Sequence, residues 1–242
     1  MVITMKRSEI NRAIERALRM LDENGLCLPE FAYWTMEEWQ KNAPLLGNLR
    51  DVMLGWDVTD FGSGDFVHCG AVLFTIRNGK KGDPKAGTPY AEKLIFQIGE
   101  TAQEIPFHYH TEKTEDIINR GGGTLALELY CATPGGGLDR KRDVTVRMDG
   151  IWRTARPGEI VEVAKGRSIT LTPGLLHRFW AKQGCGDLVV GEVSSVNDDT
   201  KDNTFLMETP RFAAIEEDEP ASRPLCNEYA KFLAASLSKC SK

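Results

Sequence analysis

Between about residue 66 and residue 196 the chain alternates apolar and polar side chains with a period of two, in short runs broken by glycine-rich joints. Val144, Val146 and Met148 alternate with Asp143, Thr145 and Arg147, and Asp149-Gly150 then gives a two-residue hairpin signal before Ile151-Trp152. Similar runs lie at 72–76, 94–98, 125–130, 160–163, 169–172 and 188–193, with joints at 121–123 and 135–137. Successive side chains of a strand point to opposite faces, so this period marks strands buried on one side. Many short strands punctuated by turns predict a β-barrel or sandwich and exclude a string of βαβ units.

Helical periodicity brackets this region. Over the N-terminal segment, about 5–45, Ile10, Ala13, Ile14, Ala17, Leu18 and Leu21 recur at three- and four-residue steps, opposite Arg12, Glu15, Arg16 and Arg19. Ser8 reads as the N-cap, and Asn24-Gly25 as the stop. Thr35 and Glu38 have capping-box form ahead of a second short helix, which Pro44 bounds. The segment from about 197 to 242 reads as a cover ending in a helix, with a stripe of Leu225, Tyr229, Phe232, Leu233 and Leu237. Both helical ends read as scaffold packed outside the sheet. The acidic run 216–219 reads as a solvated loop. No repeat or long linker interrupts the 242 residues, so a single domain, 1–242, is expected.

Composition narrows the partners. The net charge is −5, whereas phosphate binding needs clustered Lys and Arg, so nucleic acid is not expected as a partner. No apolar run reaches the roughly 20 residues of a membrane-spanning helix, and residues 1–5 lack a secretion signal. The six cysteines form no Cys-x-x-Cys pair, which fits reduced thiols in a cytoplasmic protein.

Three of the four histidines fall into one pattern. His108-Tyr109-His110 puts two imidazoles on one face of a strand, Glu115 follows, and Gly121 comes after it; later come Gly166, Pro173-Gly174 and His177. The forms His-x-His-x4-Glu-x5-Gly and Gly-x6-Pro-Gly-x2-His resemble, in order, the two motifs of the cupin superfamily. Two imidazoles from one strand, a carboxylate from the next and a third imidazole from across the barrel would make a half-shell for one divalent metal. An ion of coordination number six would then keep two adjacent positions open. The Pro-Gly turn can aim His177 inward. Manganese, iron, nickel, cobalt and zinc all suit this donor set. His68, beside Cys69 and without a partner in spacing, reads as a structural histidine.

Longer phrases narrow the resemblance: Tyr90-Ala91-Glu92-Lys93-Leu94, Glu115-Asp116-Ile117-Ile118-Asn119-Arg120-Gly121-Gly122-Gly123, Gly191-Glu192-Val193-Ser194-Ser195-Val196-Asn197-Asp198-Asp199 and Arg211-Phe212. From about residue 6 to about 235 the chain is similar to the bacterial D-lyxose isomerases, cupin-type ketol-isomerases. The resemblance implies a mainly β cupin barrel, usually dimeric, and a manganese-dependent interconversion of D-lyxose with D-xylulose, often with D-mannose and D-fructose accepted. It implies His108, His110, Glu115 and His177 as metal ligands, Glu208 as the proton-transfer base with Lys93 as its partner, and Asp198 and Arg211 as contacts to sugar hydroxyls. Departures from the family pattern are small, such as extra residues in the turn 101–104.

The residues themselves leave more open. Lys93 shares a strand face with Ile95 and Gln97 and so points into the barrel or snorkels to its rim. Glu208 alone reads as a surface glutamate, and Glu192 as a lumen group or a strand end. A metal with two open positions suits aldose–ketose isomerisation through an enediol, with a base at the C1–C2 edge. The same ligands suit an iron(II) dioxygenase, a non-catalytic sugar-binding cupin or a sugar-phosphate isomerase. The last would need a phosphate clamp, and 121–123 precede a strand, not a helix.

Overall fold

The computed structural model describes residues 4–196, 202–210 and 212–237. A short strand, β1 (Thr4–Lys6), leads into α1 (Arg7–Asn24). Ile10, Ala13, Ile14, Ala17 and Leu21 are buried on one side of α1, as their spacing predicts. Gly25 ends the helix at φ +64, a left-handed position that glycine enters without a Cβ penalty. The start differs from expectation. Lys6 occupies the N-cap position, without a side-chain bond, and Ser8 lies inside the first turn. The Ser8 amide and hydroxyl both donate to Asp218, at 2.8 and 2.7 Å, while Arg7 and Asn11 donate to Glu217 and Glu219. The acidic run is solvent-exposed as expected, and it has a structural role besides. It caps α1 from a distant part of the chain, because the unpaired N–H groups and positive dipole end of a helix attract carboxylates.

Thr35 and Glu38 form the expected capping box at α2 (Met36–Asn42), and α3 (Gly47–Asp51) follows. Then come β2 (Gly55–Thr59), β3 (Ala71–Lys80), β4 (Asp83–Gln97), β5 (Glu104–His110), β6 (Glu115–Gly122), β7 (Leu125–Ala132), β8 (Leu138–Asp139) and β9 (Val144–Met148). β10 (Ile151–Ala155), β11 (Ile160–Val163), β12 (Ser168–Leu171), β13 (Leu175–Ala181) and β14 (Leu188–Ser195) complete the run. The C-terminal part holds β15 (Asn203–Phe205), β16 (Ala214–Glu216) and α4 (Tyr229–Leu237). Asp149 and Gly150 make the β9–β10 turn with φ +50 and +81, the left-handed pair that a two-residue hairpin of this hand requires.

The strands form two antiparallel sheets, in the orders β10-β9-β12-β6-β14-β4-β3-β2 and β11-β7-β13-β5-β15. Consecutive strands such as β5 and β6 fall in different sheets, which is the jelly-roll arrangement of a cupin barrel. Between the sheets, Ile95, Ile117 and Val190 of the first meet Leu127, Leu129 and Phe179 of the second. On β4 the alternation sorts residues by face: Ile95 joins this inner core, while Leu94 and Phe96 pack outside with Ile10, Ile14 and Leu21 of α1. A third cluster joins Trp39 of α2 to Tyr229 and Leu233 of α4.

The barrel is wider in sequence than 66–196. β2 pairs with β3, and it is buried throughout. Trp56 and Val58 pack towards α1, while Asp57 and Thr59 line the central cavity, so its polar positions face inward. At the other end β15 joins the second sheet, and β16 pairs in parallel with β1. His68 is exposed and bonded to Asp65 at 2.9 Å. Among the described residues the cysteines are unpaired as disulfides, and no helix is long and apolar enough to cross a membrane.

Candidate metal centre and active site

β5 sends His108 and His110 inward, two residues apart on one face. His177 on β13 pairs directly with His108 across the ladder, so the third imidazole comes from the neighbouring strand of the same sheet. The carboxylate is the group that crosses the barrel, since Glu115 opens β6 in the facing sheet. Glu115 comes from the next strand, as expected, whereas His177 comes from the strand beside His108 and not from across the barrel. One ligand atom from each residue lies within 4.8 Å of all the others, and all four residues are buried.

The hydrogen bonds around the set fix its chemistry. His108 Nδ1 donates to the Pro106 carbonyl at 2.9 Å, and His177 Nδ1 donates to the Leu175 carbonyl at 3.0 Å. A carbonyl only accepts, so Nδ1 carries the proton in both rings and Nε2 presents a lone pair to the centre. Glu115 Oε1 stands 3.2 Å from His177 Nε2 and 3.3 Å from His110 Nε2, and none of these three buried atoms has a hydrogen-bond partner among the described residues. Buried nitrogen and oxygen donors that converge without hydrogen-bond partners suit a cation, and this donor set fits a divalent metal. Burial and the neighbouring His177 and His110 push the His108 imidazole well below its usual pKa, which keeps it neutral, as a ligand must be. The Pro173-Gly174 turn is tied to the site too: Gly174 has φ +77 and its N–H donates to the His110 carbonyl at 2.9 Å.

Beside the ligands lies a buried set of charges. Lys113 Nζ bridges Glu115 Oε2 at 2.8 Å and Glu192 Oε1 at 2.9 Å. Ser194 Oγ donates to the same Glu192 oxygen at 3.1 Å, and Lys93 Nζ lies 3.7 Å from it. Burial works against charge on both carboxylates, yet Lys113 overcomes it and holds Glu115 well below the usual range; Lys113 and Lys93 hold Glu192 down likewise. The Lys113 ammonium is in turn raised, its burial outweighed by Glu115 and Glu192.

These groups open onto a cavity of about 610 Å³, a size suited to a small ligand. Its polar lining includes Asp57, Thr75, Lys93, Lys113, Glu192 and Asn203. Lys93 therefore points into the lumen, where its cross-strand partner is Glu192. Glu208 is exposed on the segment after β15 and is outside the lining, although Thr209 and Pro210 contribute to it. Asp198 and Arg211 lie outside the described residues.

Sequence reasoning passed over Lys113, because a lysine in the turn between two ligands reads as solvated. It left Glu192 undecided; the available signal was its alternation with Val190, which faces the inner core. Asp202 was passed over as well, since it binds the site from outside the motif strands.

Barrel and residue set together define a cupin whose lumen holds a buried three-imidazole, one-carboxylate cluster that fits a divalent metal. The sequence profile of the D-lyxose isomerase family matches residues 5–229. The chain is 43% identical over 231 residues to the D-lyxose/D-mannose isomerase of Serratia proteamaculans, covering 95% of this chain and 100% of that one. It is 44% identical over 230 residues to the D-lyxose/D-mannose isomerase of Escherichia coli O157:H7, covering 94% and 100%. Among solved structures, the L-ribose isomerase of Acinetobacter sp. DL28, in complex with L-ribose, matches with a TM-score of 0.58 at 16% identity, over 88% of this chain and 99% of that one. The L-ribose isomerase of Geodermatophilus obscurus matches with a TM-score of 0.54 at 18% identity, over 88% and 99%. At such identities these structures speak for the fold alone. The chain belongs to the D-lyxose isomerase family, and it is a sugar isomerase.

Proposed function

We propose that the protein interconverts D-lyxose with D-xylulose, and D-mannose with D-fructose, by proton transfer through a cis-enediol, using manganese held by His108, His110, Glu115 and His177. The observation that carries this reading is the juxtaposition, in one cavity, of the converging ligand set with the Lys113–Glu192–Lys93 charges. The names of the two relatives support the choice of sugars. A bound divalent ion would supply Lewis-acid polarisation of the sugar's adjacent carbonyl and hydroxyl oxygens.

The chain's own residues account for the rest. Aldose–ketose exchange moves a proton between C1 and C2 and another between O1 and O2. Glu192, which Lys113 and Lys93 keep ionised, lies in the lumen and is our candidate to take and return the carbon proton, although the same two ammonium groups reduce its basicity. Lys113 and Lys93 provide ammonium donors for oxygens that gain negative charge on the way to the enediol. Glu208 in the role of base would have to act from the cavity rim, so Glu192 is favoured by burial and Glu208 remains the second candidate. Asp57 and Thr75 are suited to hold the sugar's remaining hydroxyls, with Asp198 and Arg211 as further contacts implied by family likeness. A homodimer forms part of the same reading and is checked by light scattering.

The test is ketose formation from D-lyxose and D-mannose, run in deuterated water with manganese supplied. Activity with deuterium at C1 or C2 of recovered sugar is expected. Turnover of neither sugar by metal-loaded protein would sink the substrate assignment. Turnover without any deuterium entry, and without internal return of the proton, would replace proton transfer by a hydride shift.

A further inference from the structure

Asp202 stands immediately before β15. β15 lies along the ligand strand, with Asn203 opposite His110, Thr204 opposite Tyr109 and Phe205 opposite His108. The Phe205 ring stacks on His108 with centroids 5.0 Å apart. Asp202 itself reaches the turn that connects His110 to Glu115. Its Oδ1 accepts from the Thr111 amide at 2.9 Å, the Thr111 hydroxyl at 2.7 Å and the Glu112 amide at 2.9 Å. Its Oδ2 accepts from the Lys113 amide at 3.0 Å.

A single carboxylate thus gathers three successive backbone amides of the turn that spaces two ligands and aims Lys113. It also stands beside the one ligand imidazole that no carbonyl orients. His108 and His177 each have Nδ1 fixed by a backbone carbonyl, whereas His110 Nδ1 has no hydrogen-bond partner among the described residues and lies 3.9 Å from Asp202 Oδ2. Groups just behind metal ligands set their orientation and basicity.

We propose that Asp202 is a positioning residue of the metal centre: it fixes the turn 111–113, and through it the placement of His110, Lys113 and Glu115, from a segment outside the barrel's motif strands. This rests on the reading of the four ligands as a metal site. A turn carboxylate can also serve stability alone, and Asp149 supplies the matched control. It accepts from the Ser168 amide at 2.7 Å and hydroxyl at 3.1 Å and pairs with Arg167, at the β9–β10 hairpin.

The experiment titrates metal-free full-length protein with manganese and reads the dissociation constant and the Mn(II) EPR line shape. Wild type, Asp202→Asn and Asp149→Asn are compared, with Asp202→Glu as the conservative variant. Asp202→Asn is expected to weaken manganese binding by roughly 10–100-fold and to change the line shape. Asp202→Glu is expected to recover part of the affinity, and Asp149→Asn to bind as wild type even where its thermal midpoint falls. Wild-type affinity and line shape in folded Asp202→Asn would reduce Asp202 to a turn cap and overturn the proposal. If Asp202→Asn does not fold, Thr111→Val removes only the hydroxyl that steers the carboxylate; weakened binding supports the proposal and unchanged binding overturns it. Failure of wild type to bind a divalent ion would instead remove the metal reading, and this one with it.

Discussion

At the residue scale the charge balance of the lumen turns on Lys113. It is buried with Glu115 and Glu192, each within 2.9 Å of its ammonium group, so its removal leaves two buried carboxylates without their shared cation, with only Lys93 3.7 Å from Glu192. Breaking a buried pair in this way costs about 3–5 kcal/mol, and Lys113→Met is expected to lose stability on that order in urea denaturation of the metal-free protein. Glu192→Gln keeps the shape and removes the proton acceptor; its kcat is expected to fall by roughly 10²–10⁴-fold, with Glu208→Gln falling far less. The opposite order in steady-state assays would move the base to the rim. The convergence of His108, His110, Glu115 and His177 was legible in the sequence because their spacing obeys the strand period and the Pro-Gly turn. Lys113 and Glu192 were not, for a physical reason. Which buried charge meets which is decided by strand register, and the pairing of Glu192 with Lys93 across β14 and β4 is not written in either strand alone.

At the element scale alternation located most barrel strands and the helix periods located α1 and α4, since each element buries one face, while the capping box of Thr35 and Glu38 located α2. Sheet membership was hidden. His177 was expected from across the barrel, but β13 lies beside β5 in the same sheet, and it is Glu115 on the next strand, β6, that faces the imidazoles from the opposite sheet, because the jelly roll sends consecutive strands to opposite walls. The start of α1 was misread for a related reason. Ser8 is a good capping residue locally, yet Asp218 satisfies the helix end through a contact 210 residues away in sequence. Asp218→Ala is expected to lower the thermal midpoint while leaving kcat unchanged, because this contact lies on the outside of the barrel. Ile14, fully buried between α1 and the sheet, offers a larger effect. Ile14→Ala is expected to cost about 2–5 kcal/mol in equilibrium unfolding through lost burial and a residual cavity.

For the whole molecule, the two ends of the chain are held together by charge. Arg7 is buried and donates to Glu228 at 3.0 Å and to Glu217 at 2.8 Å, beside the parallel pairing of β1 with β16. Bonds from Arg7 hold the Glu217 carboxyl at about 2, below its ordinary 4.5. A carboxyl lowered in the folded state adds stability that is fully present above its unfolded pKa and is lost as pH falls through the folded one. Stability measured in urea is therefore expected to decline between about pH 4.5 and pH 2, more steeply in wild type than in Glu217→Gln. Solvent screens this half-exposed group, so the difference in slope is modest. The terminal clasp closes the chain around a barrel whose lumen does the chemistry, and the central claim is that this chemistry needs one metal ion at the four-ligand centre. The most direct measurement strips the protein with chelator and titrates manganese back while following occupancy and ketose formation together, with His108→Ala alongside. Activity is expected to rise in proportion to occupancy, to saturate at one ion per chain, and to be absent from the variant. Full activity in demonstrably metal-free protein, or an unchanged titration in His108→Ala, would contradict that claim.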